Sequence, residues 1–185
     1  MKRLLSLAFI SSLFFACTNS KPSDAAAATS DSAVAAAPAK PQPTEFADSK
    51  YADIGKKGFD ALSSGDIDAW MSTYADNAVY VWNNGDSIVG KAAITAYWKK
   101  RRTEVIDSIS FLYPIWLPVK VNEPQQVVQT PGVWLLSWHL TSAKYKTGKR
   151  MTQWMHTDMH FDANDKIDRV LQFLDRVPIN AATKK

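Results

Sequence analysis

Two of the three histidines in the chain flank an aspartate at two-residue spacing, in the sequence QWMHTDMHF at residues 153–161. If this segment is a β-strand, His156, Asp158 and His160 project from one face, because alternate side chains of a strand point to opposite sides. Imidazole and carboxylate groups arranged in this way can share a metal ion or exchange a proton near neutral pH. Three interpretations are open: a metal or acid-base site, a surface or subunit interface, or a group that a β-bulge turns into a pocket.

The alternation of side chains along two segments favours the surface or interface. In residues 151–161 the face opposite the histidines is mostly apolar, so we predict that it points inward and carries Met151, Gln153, Met155, Thr157, Met159 and Phe161. The histidine face then points outward, where the adjacent Trp154 is typical of a subunit interface. In residues 133–141 the wholly apolar face is predicted to point inward, with Trp134, Leu136, Trp138 and Leu140. His139 lies on the other face of that segment and is predicted to point outward.

The elements that hold these residues are predicted to be three helices followed by strands. Apolar residues recur with a helical period over residues 47–64, Gly65 ends this helix, and Asp66 is placed to cap a second helix over 67–74. A strand over 78–82 and a turn over 83–86 precede a third helix over 91–102. Further strands are predicted over 108–116, 127–130, 133–146, 150–162 and 166–176. The sequence therefore predicts an α+β fold, with three N-terminal helices packed in a strongly curved antiparallel sheet.

Two stretches of the chain resemble the nuclear transport factor 2-like superfamily, whose members include SnoaL-like cyclases and ketosteroid isomerases. The first is Gly65–Tyr80 followed by Gly90–Ile94, and the second is Phe161–Ile167 leading to Phe173–Asp175. Asp165 stands where members of the superfamily usually have glycine. The resemblance implies a cone-shaped domain over residues 46–180 that encloses a single pocket and pairs into a homodimer through the outer sheet face. It implies no particular chemistry, because this fold hosts enzymes of several classes and non-enzymatic binding proteins.

The comparison with ketosteroid isomerase implies that the catalytic groups of that enzyme are missing. Trp82 falls at the position of the base carboxylate, Gly58 at that of a tyrosine, and Thr157 at that of the protonated aspartate. An indole, a hydrogen atom and a hydroxyl cannot replace these groups in proton transfer.

We predict instead a pocket for a small apolar or aromatic ligand. The predicted lining combines the inward strand residues with those that the family comparison places inside, namely Tyr80, Trp82, Trp134, Trp138, Met155, Thr157, Met159 and Gln172. Two alternatives remain open. One is a SnoaL-like enzyme that uses His139 or His156 with Asp158 for acid-base chemistry, and the other is a dimeric interaction module with a filled core.

The N-terminal residues predict export and a lipid anchor. Lys2 and Arg3 precede a largely apolar stretch, residues 4–15, which is shorter than the roughly 20 apolar residues that span a bilayer. The sequence FFAC that ends at Cys17 resembles the bacterial lipoprotein box, in which the cysteine becomes the acylated first residue of the mature protein. The alternative is an ordinary secretory signal with a chance cysteine.

We therefore predict a signal peptide over residues 1–16 and a lipidated tether over 17–45. The tether contains no aromatic residue up to Thr44 and is rich in Ala, Ser, Thr and Pro, a composition typical of disordered segments. Residue 18 is Thr and not the aspartate associated with inner-membrane retention, which favours the outer membrane, facing the periplasm.

The composition limits the remaining functional classes. A chain of 185 residues with 46% hydrophobic and 22% charged residues fits one globular domain with additional segments, and its single cysteine excludes an internal disulfide. The net charge of +4 is scattered, so we predict no nucleic-acid partner, and we expect no cofactor. The basic run Lys99–Arg102 ends the predicted third helix, where cations complement the helix dipole. Binding of anionic lipid headgroups is the alternative interpretation of this run.

Overall fold

The computed structural model describes residues 40–127 and 129–184 of the chain. The predicted signal peptide, Cys17 and most of the predicted tether lie outside the described residues. Within the described ranges, no helix is both long enough and apolar enough to cross a membrane.

The described part of the chain contains four α-helices: α1 (Lys50–Ser64), α2 (Ile67–Met71), α3 (Lys91–Lys100) and α4 (Arg176–Thr183). A π-helical turn, Arg101–Val105, continues α3. Gly65 ends α1 in the left-handed conformation, with φ of 88°, and the Asp66 carboxylate caps α2 by accepting a hydrogen bond of 2.9 Å from the Ala69 amide. Both helix boundaries occur as predicted, because glycine tolerates positive φ and aspartate satisfies a free amide of the first turn.

Seven strands of the described residues form one curved sheet. They are β1 (Thr44–Phe46), β2 (Tyr74–Trp82), β3 (Ser87–Val89), β4 (Ile106–Val121), β5 (Gly132–Tyr145), β6 (Arg150–Phe161) and β7 (Ile167–Phe173). Their order is β1-β4-β5-β6-β7-β2-β3, and β2 runs parallel to β7. The α+β class and the curved sheet are confirmed. The prediction of an antiparallel sheet is wrong at one pair, because β2 lies beside β7 and runs parallel to it.

Other departures from the prediction have local causes. The described residues of the predicted strand 127–130 belong to the loop between β4 and β5, and β4 instead extends to Val121. A bulge with Tyr113 at φ of 51° and Pro114 outside the paired register interrupts β4, and such bulges bend a strand. The predicted strand 166–176 ends at Phe173, and α4 begins after Asp175, whose carboxylate accepts a hydrogen bond from the Val177 amide.

Two close contacts hold α1 against the sheet. A Cβ atom on Gly55 would lie 2.6 Å from the side chains of both Leu135 and Trp116, so glycine permits the helix to approach β4 and β5. At the other contact, Asp165 adopts φ of 57° in the β6–β7 turn and accepts hydrogen bonds of 2.7 Å from Lys50 Nζ and Tyr51 OH. Aspartate adopts positive φ more readily than most residues, so it can occupy this position, where members of the superfamily usually have glycine. Its two hydrogen bonds link the turn to the start of α1.

Candidate functional site

A cavity of about 300 Å³ lies between the helices and the concave face of the sheet. Its wall includes residues from all four helices, the π-helical turn, and strands β2, β4, β5, β6 and β7. The volume is at the lower end of the roughly 300–1,000 Å³ found for small-molecule sites. This open volume argues against the alternative of a completely filled core.

Most of the predicted pocket residues line this cavity: Tyr80, Trp82, Met155, Thr157, Met159 and Gln172. Trp134 and Trp138 do not, and their prediction is wrong. Trp138 lies on the outer sheet face with 37% of its surface exposed, and Trp134 packs its ring at 5.0 Å from that of His160.

The error arises because the predicted facing of β5 is reversed. His139 is fully buried and lines the cavity, together with Thr141, Ala143 and Tyr145. Over residues 133–141 the outward face of β5 is wholly apolar and the inward face is mixed, so hydrophobicity alone selects the wrong one. The hairpin register supplies the missing signal: Lys144 pairs with Arg150, which places His139 directly opposite the inward Met155. Residues directly opposite in a sheet share a face, and the same register therefore turns His139 inward.

His139 is a buried imidazole without a hydrogen-bond partner among the described residues. Its ring centroid lies 4.6 Å from that of Phe59 and 5.4 Å from that of Phe111, in edge-to-face contacts. Burial, assisted by the nearby His156, lowers the pKa of His139 to about 4. The ring is therefore neutral near pH 7, and a hydrogen bond with a bound molecule would satisfy one of its nitrogens.

Gln172 orders the polar part of the cavity wall. Its Oε1 accepts hydrogen bonds of 2.7 Å from Tyr80 OH and 3.2 Å from Trp82 Nε1. Because the indole N–H is only a donor, the amide oxygen must face it, and Nε2 is left as the available donor. Burial raises the pKa of Tyr80 well above its ordinary value, so its hydroxyl keeps its proton and donates.

The histidines of β6 point away from the cavity, as the alternation predicts. His156 Nε2 lies 2.7 Å from Asp158 Oδ1, while His160 contacts Asp168 Oδ1 through Nδ1 at 2.5 Å and the Pro131 carbonyl through Nε2 at 3.0 Å. The register shift in the β6–β7 pairing leaves Asp168 of β7 as the extra residue, so it does not turn the histidines of β6 inward.

The side chains of His156, Asp158 and His160 do not converge on one point, as the metal site suggested by their spacing would require. Nowhere in the described ranges do three or more His, Cys, Asp or Glu side chains form a group suited to a metal ion. His139 lies on the opposite side of the sheet from Asp158, so the structure rules out the proposed acid-base pair between them. His156 and Asp158 remain paired, but on the outer face.

The residues of the basic run Lys99–Arg102 make separate contacts. Lys99 Nζ lies 2.7 Å from Asp68 Oδ1, and Lys100 Nζ lies 4.0 Å from Glu104 Oε2. Arg101 instead lines the cavity, with its guanidinium carbon 5.7 Å from the centroid of the Tyr97 ring. Sequence reasoning missed this residue, although Arg101 continues the buried face that carries Ile94 and Trp98 at helical spacing.

Comparisons with known proteins agree with this architecture. Residues 56–170, more than half of the chain, match the family model of the SnoaL-like domain. A candidate polyketide cyclase from Xanthomonas campestris is 13% identical with a TM-score of 0.58, and the match covers 73% of this chain and 97% of that one.

Two further structures show the same fold. A nuclear transport factor 2-like protein from Burkholderia xenovorans is 16% identical with a TM-score of 0.55, over 76% of this chain and all (100%) of that one. An LEH-like epoxide hydrolase from M. tuberculosis is 12% identical with a TM-score of 0.52, over 73% of this chain and 90% of that one. A search of curated proteins gave no match. At these identities the structural neighbours establish the fold alone.

Proposed function

Because the chain belongs to the SnoaL-like domain family of the nuclear transport factor 2-like superfamily, we propose that it binds a small apolar or aromatic ligand in its cavity. The observation that carries this proposal is the cavity of about 300 Å³, whose wall is mostly aromatic and aliphatic with a few polar groups. Such walls hold flat or apolar molecules by burial and by edge-to-face contacts. Trp70 and Trp98 already contact each other in this way, with their ring centroids 5.3 Å apart.

The structure offers no support for a reaction of the ketosteroid isomerase type. The Trp82 indole, at the position of the base, is hydrogen-bonded to Gln172. A Cβ atom on Gly58 would lie 3.2 Å from the Trp70 indole, so Trp70 occupies the space beside the position of the family tyrosine. Thr157, at the position of the acidic hydrogen-bond donor, contributes a hydroxyl that cannot act as a carboxylic acid.

A thermal-shift screen with flat apolar compounds tests the binding proposal. A ligand that binds the folded protein raises its melting temperature by mass action, by an amount equivalent to about 2.7 kcal/mol at 100 times its Kd. We expect Trp82→Ala and Thr157→Val to weaken binding of the compounds found, because both side chains line the cavity. Trp154→Ala on the outer face is the matched control and should leave binding unchanged. Equal shifts in the wild type and in both cavity variants would place the ligand elsewhere and refute the proposal.

A second copy of the chain is the partner that we propose for the outer sheet face. We define the outer patch as the exposed or half-exposed apolar residues Leu112, Ile115, Trp138, Trp154 and Phe173. The strand pairing places Ile115 opposite Trp138 and puts Leu112 in the same row as Trp154, and His156 lies between Trp138 and Phe173. The patch residues therefore occupy neighbouring rows of one face. Contiguous exposed apolar surface of this kind marks interaction sites, and a two-fold axis would bury the same patch on both copies.

We also propose that Cys17 attaches the protein to a membrane through acyl chains such as palmitate, with the domain in the cell envelope. The support is the sequence of residues 1–17, which precedes the described residues. Thr18 favours the outer membrane, facing the periplasm.

A further inference from the structure

We propose that the ligand of the cavity is an apolar or aromatic carboxylic acid, bound in its ionised form with the carboxylate at Arg101. This inference rests on the proposed ligand binding and specifies its chemical class. It follows from the distribution of charge and hydrogen-bond donors over the cavity wall.

Two charged residues line the cavity, Arg101 and Arg176, and both are cations. The lining contains neither aspartate nor glutamate. Arg176 is already paired, because its Nη2 lies 3.2 Å from Asp86 Oδ2 and donates a hydrogen bond of 3.1 Å to Asn84 Oδ1. Arg101 has no carboxylate within 4.0 Å and no side-chain hydrogen bond among the described residues, so its charge is available to a ligand.

The helix geometry directs Arg101 into the cavity. It is the first residue of the π-helical turn after α3, and π-helical turns are frequent at functional sites. Its guanidinium carbon lies 5.7 Å from the centroid of the Tyr97 ring, a cation–π contact that does not use the N–H donors. Arg101 lines the same cavity as Tyr80 and Tyr145. Burial raises the pKa of both hydroxyls, and the positive charge of Arg101 opposes this rise. The cation therefore shares the cavity wall with the polar groups of Tyr80 and Gln172.

The other unpaired polar groups of this wall include two that are donors only, and His139 and Thr141, which can each donate or accept a hydrogen bond. Gln172 Nε2 is available because Oε1 is occupied, and the buried Trp98 Nε1 has no partner among the described residues. An ionised carboxylate is purely an acceptor, with about four lone-pair sites, and forms its strongest hydrogen bonds with a guanidinium. A cationic wall rich in donors and without carboxylates fits such a group better than it fits an amine or a neutral hydrocarbon.

The experiment compares two probes of nearly the same shape, 2-naphthoate and its neutral amide, 2-naphthamide, with the full purified protein at pH 7. Binding is followed by calorimetry and by quenching of tryptophan fluorescence. We expect the acid to bind about tenfold more tightly than the amide, as is reasonable for a charge-assisted pair in a partly buried site. We expect Arg101→Gln to remove this preference while changing the affinity for the amide by less than about twofold. Lys100→Gln removes the same charge from the exposed side of the same helix and should leave the preference intact.

Each outcome bears on a different proposal. Equal binding of acid and amide by the wild type would overturn the carboxylate assignment and leave ligand binding standing, and this comparison requires no variant to fold. A preference that survives in Arg101→Gln would also overturn it, whether or not Lys100→Gln keeps the preference. If neither probe binds and the screen of apolar compounds is empty, the proposed function fails together with this inference. Arg101→Lys, which keeps the charge but loses the planar pair of donors, should retain part of the preference.

Discussion

Among single residues, His139 should dominate the pH dependence of stability on the acid side. Burial, with a smaller contribution from His156, holds its pKa at about 4 in the folded protein, below the ordinary 6.5. Between these values the unfolded chain binds a proton that the folded protein excludes, so the stability that His139 contributes is complete above pH 6.5 and is lost as the pH falls towards 4. We expect urea denaturation to show a loss of roughly 2–3 kcal/mol between pH 7 and 4.5, reduced strongly in His139→Leu.

The matched control for this prediction is His156→Gln, which changes a half-buried histidine on the opposite side of the sheet. It should keep most of the slope, because burial is the larger cause of the His139 shift. Burial also raises the pKa of Asp158, which favours the folded state at low pH, but this contribution is common to the wild type and the His139 variant. An unchanged slope in His139→Leu would mean that another group controls acid stability.

At the scale of the elements, the outer face of β5, β6 and β7 should mediate dimer formation. Trp154 and Phe173 expose 55% and 45% of their surfaces in the single chain, and burial of apolar surface contributes about 25 cal/mol per Å². We expect Trp154→Asp and Phe173→Asp to shift the protein from dimer to monomer in size-exclusion chromatography with light scattering. An introduced carboxylate would have to lose its hydration within an apolar contact.

Val177→Asp provides the control for this interface, since Val177 is also apolar and exposed but lies on α4. It should remain dimeric with the wild type. A wild-type protein that stays monomeric at every concentration used would contradict the proposed interface, whatever the variants do.

The elements also show which parts of the structure can be predicted from the sequence. The caps at Gly65 and Asp66 depend on local chemistry, and both occur where the residues place them. The inward face of β6 was predicted because the more apolar of its two faces is the buried one. The faces of β5 were reversed because over residues 133–141 the outward face is wholly apolar and the inward face is mixed. His139 and Arg101 could not be found by polarity, since each is a polar residue within a buried face. Strand register and helix periodicity carry that information, and both depend on how neighbouring elements pack.

At the scale of the whole molecule, the N-terminal segment should attach the domain to a membrane. Thr44 and Glu45, the last residues of the predicted tether, belong to β1. A tether that ends before Thr44 would connect the described domain to acyl chains on Cys17, and each buried CH₂ contributes about 0.8 kcal/mol to anchoring. We expect the wild type to incorporate an alkyne analogue of palmitate and to sediment with membranes, and Cys17→Ser to do neither. Ser20→Ala, a change of similar size in the same segment, should behave as the wild type.

If the wild type is unlabelled and soluble after export, residues 1–16 act as an ordinary secretory signal and Cys17 has no anchoring role. Loss of labelling in Cys17→Ser with retention at the membrane would instead assign the attachment to the domain, where the outer patch would be the first surface to test.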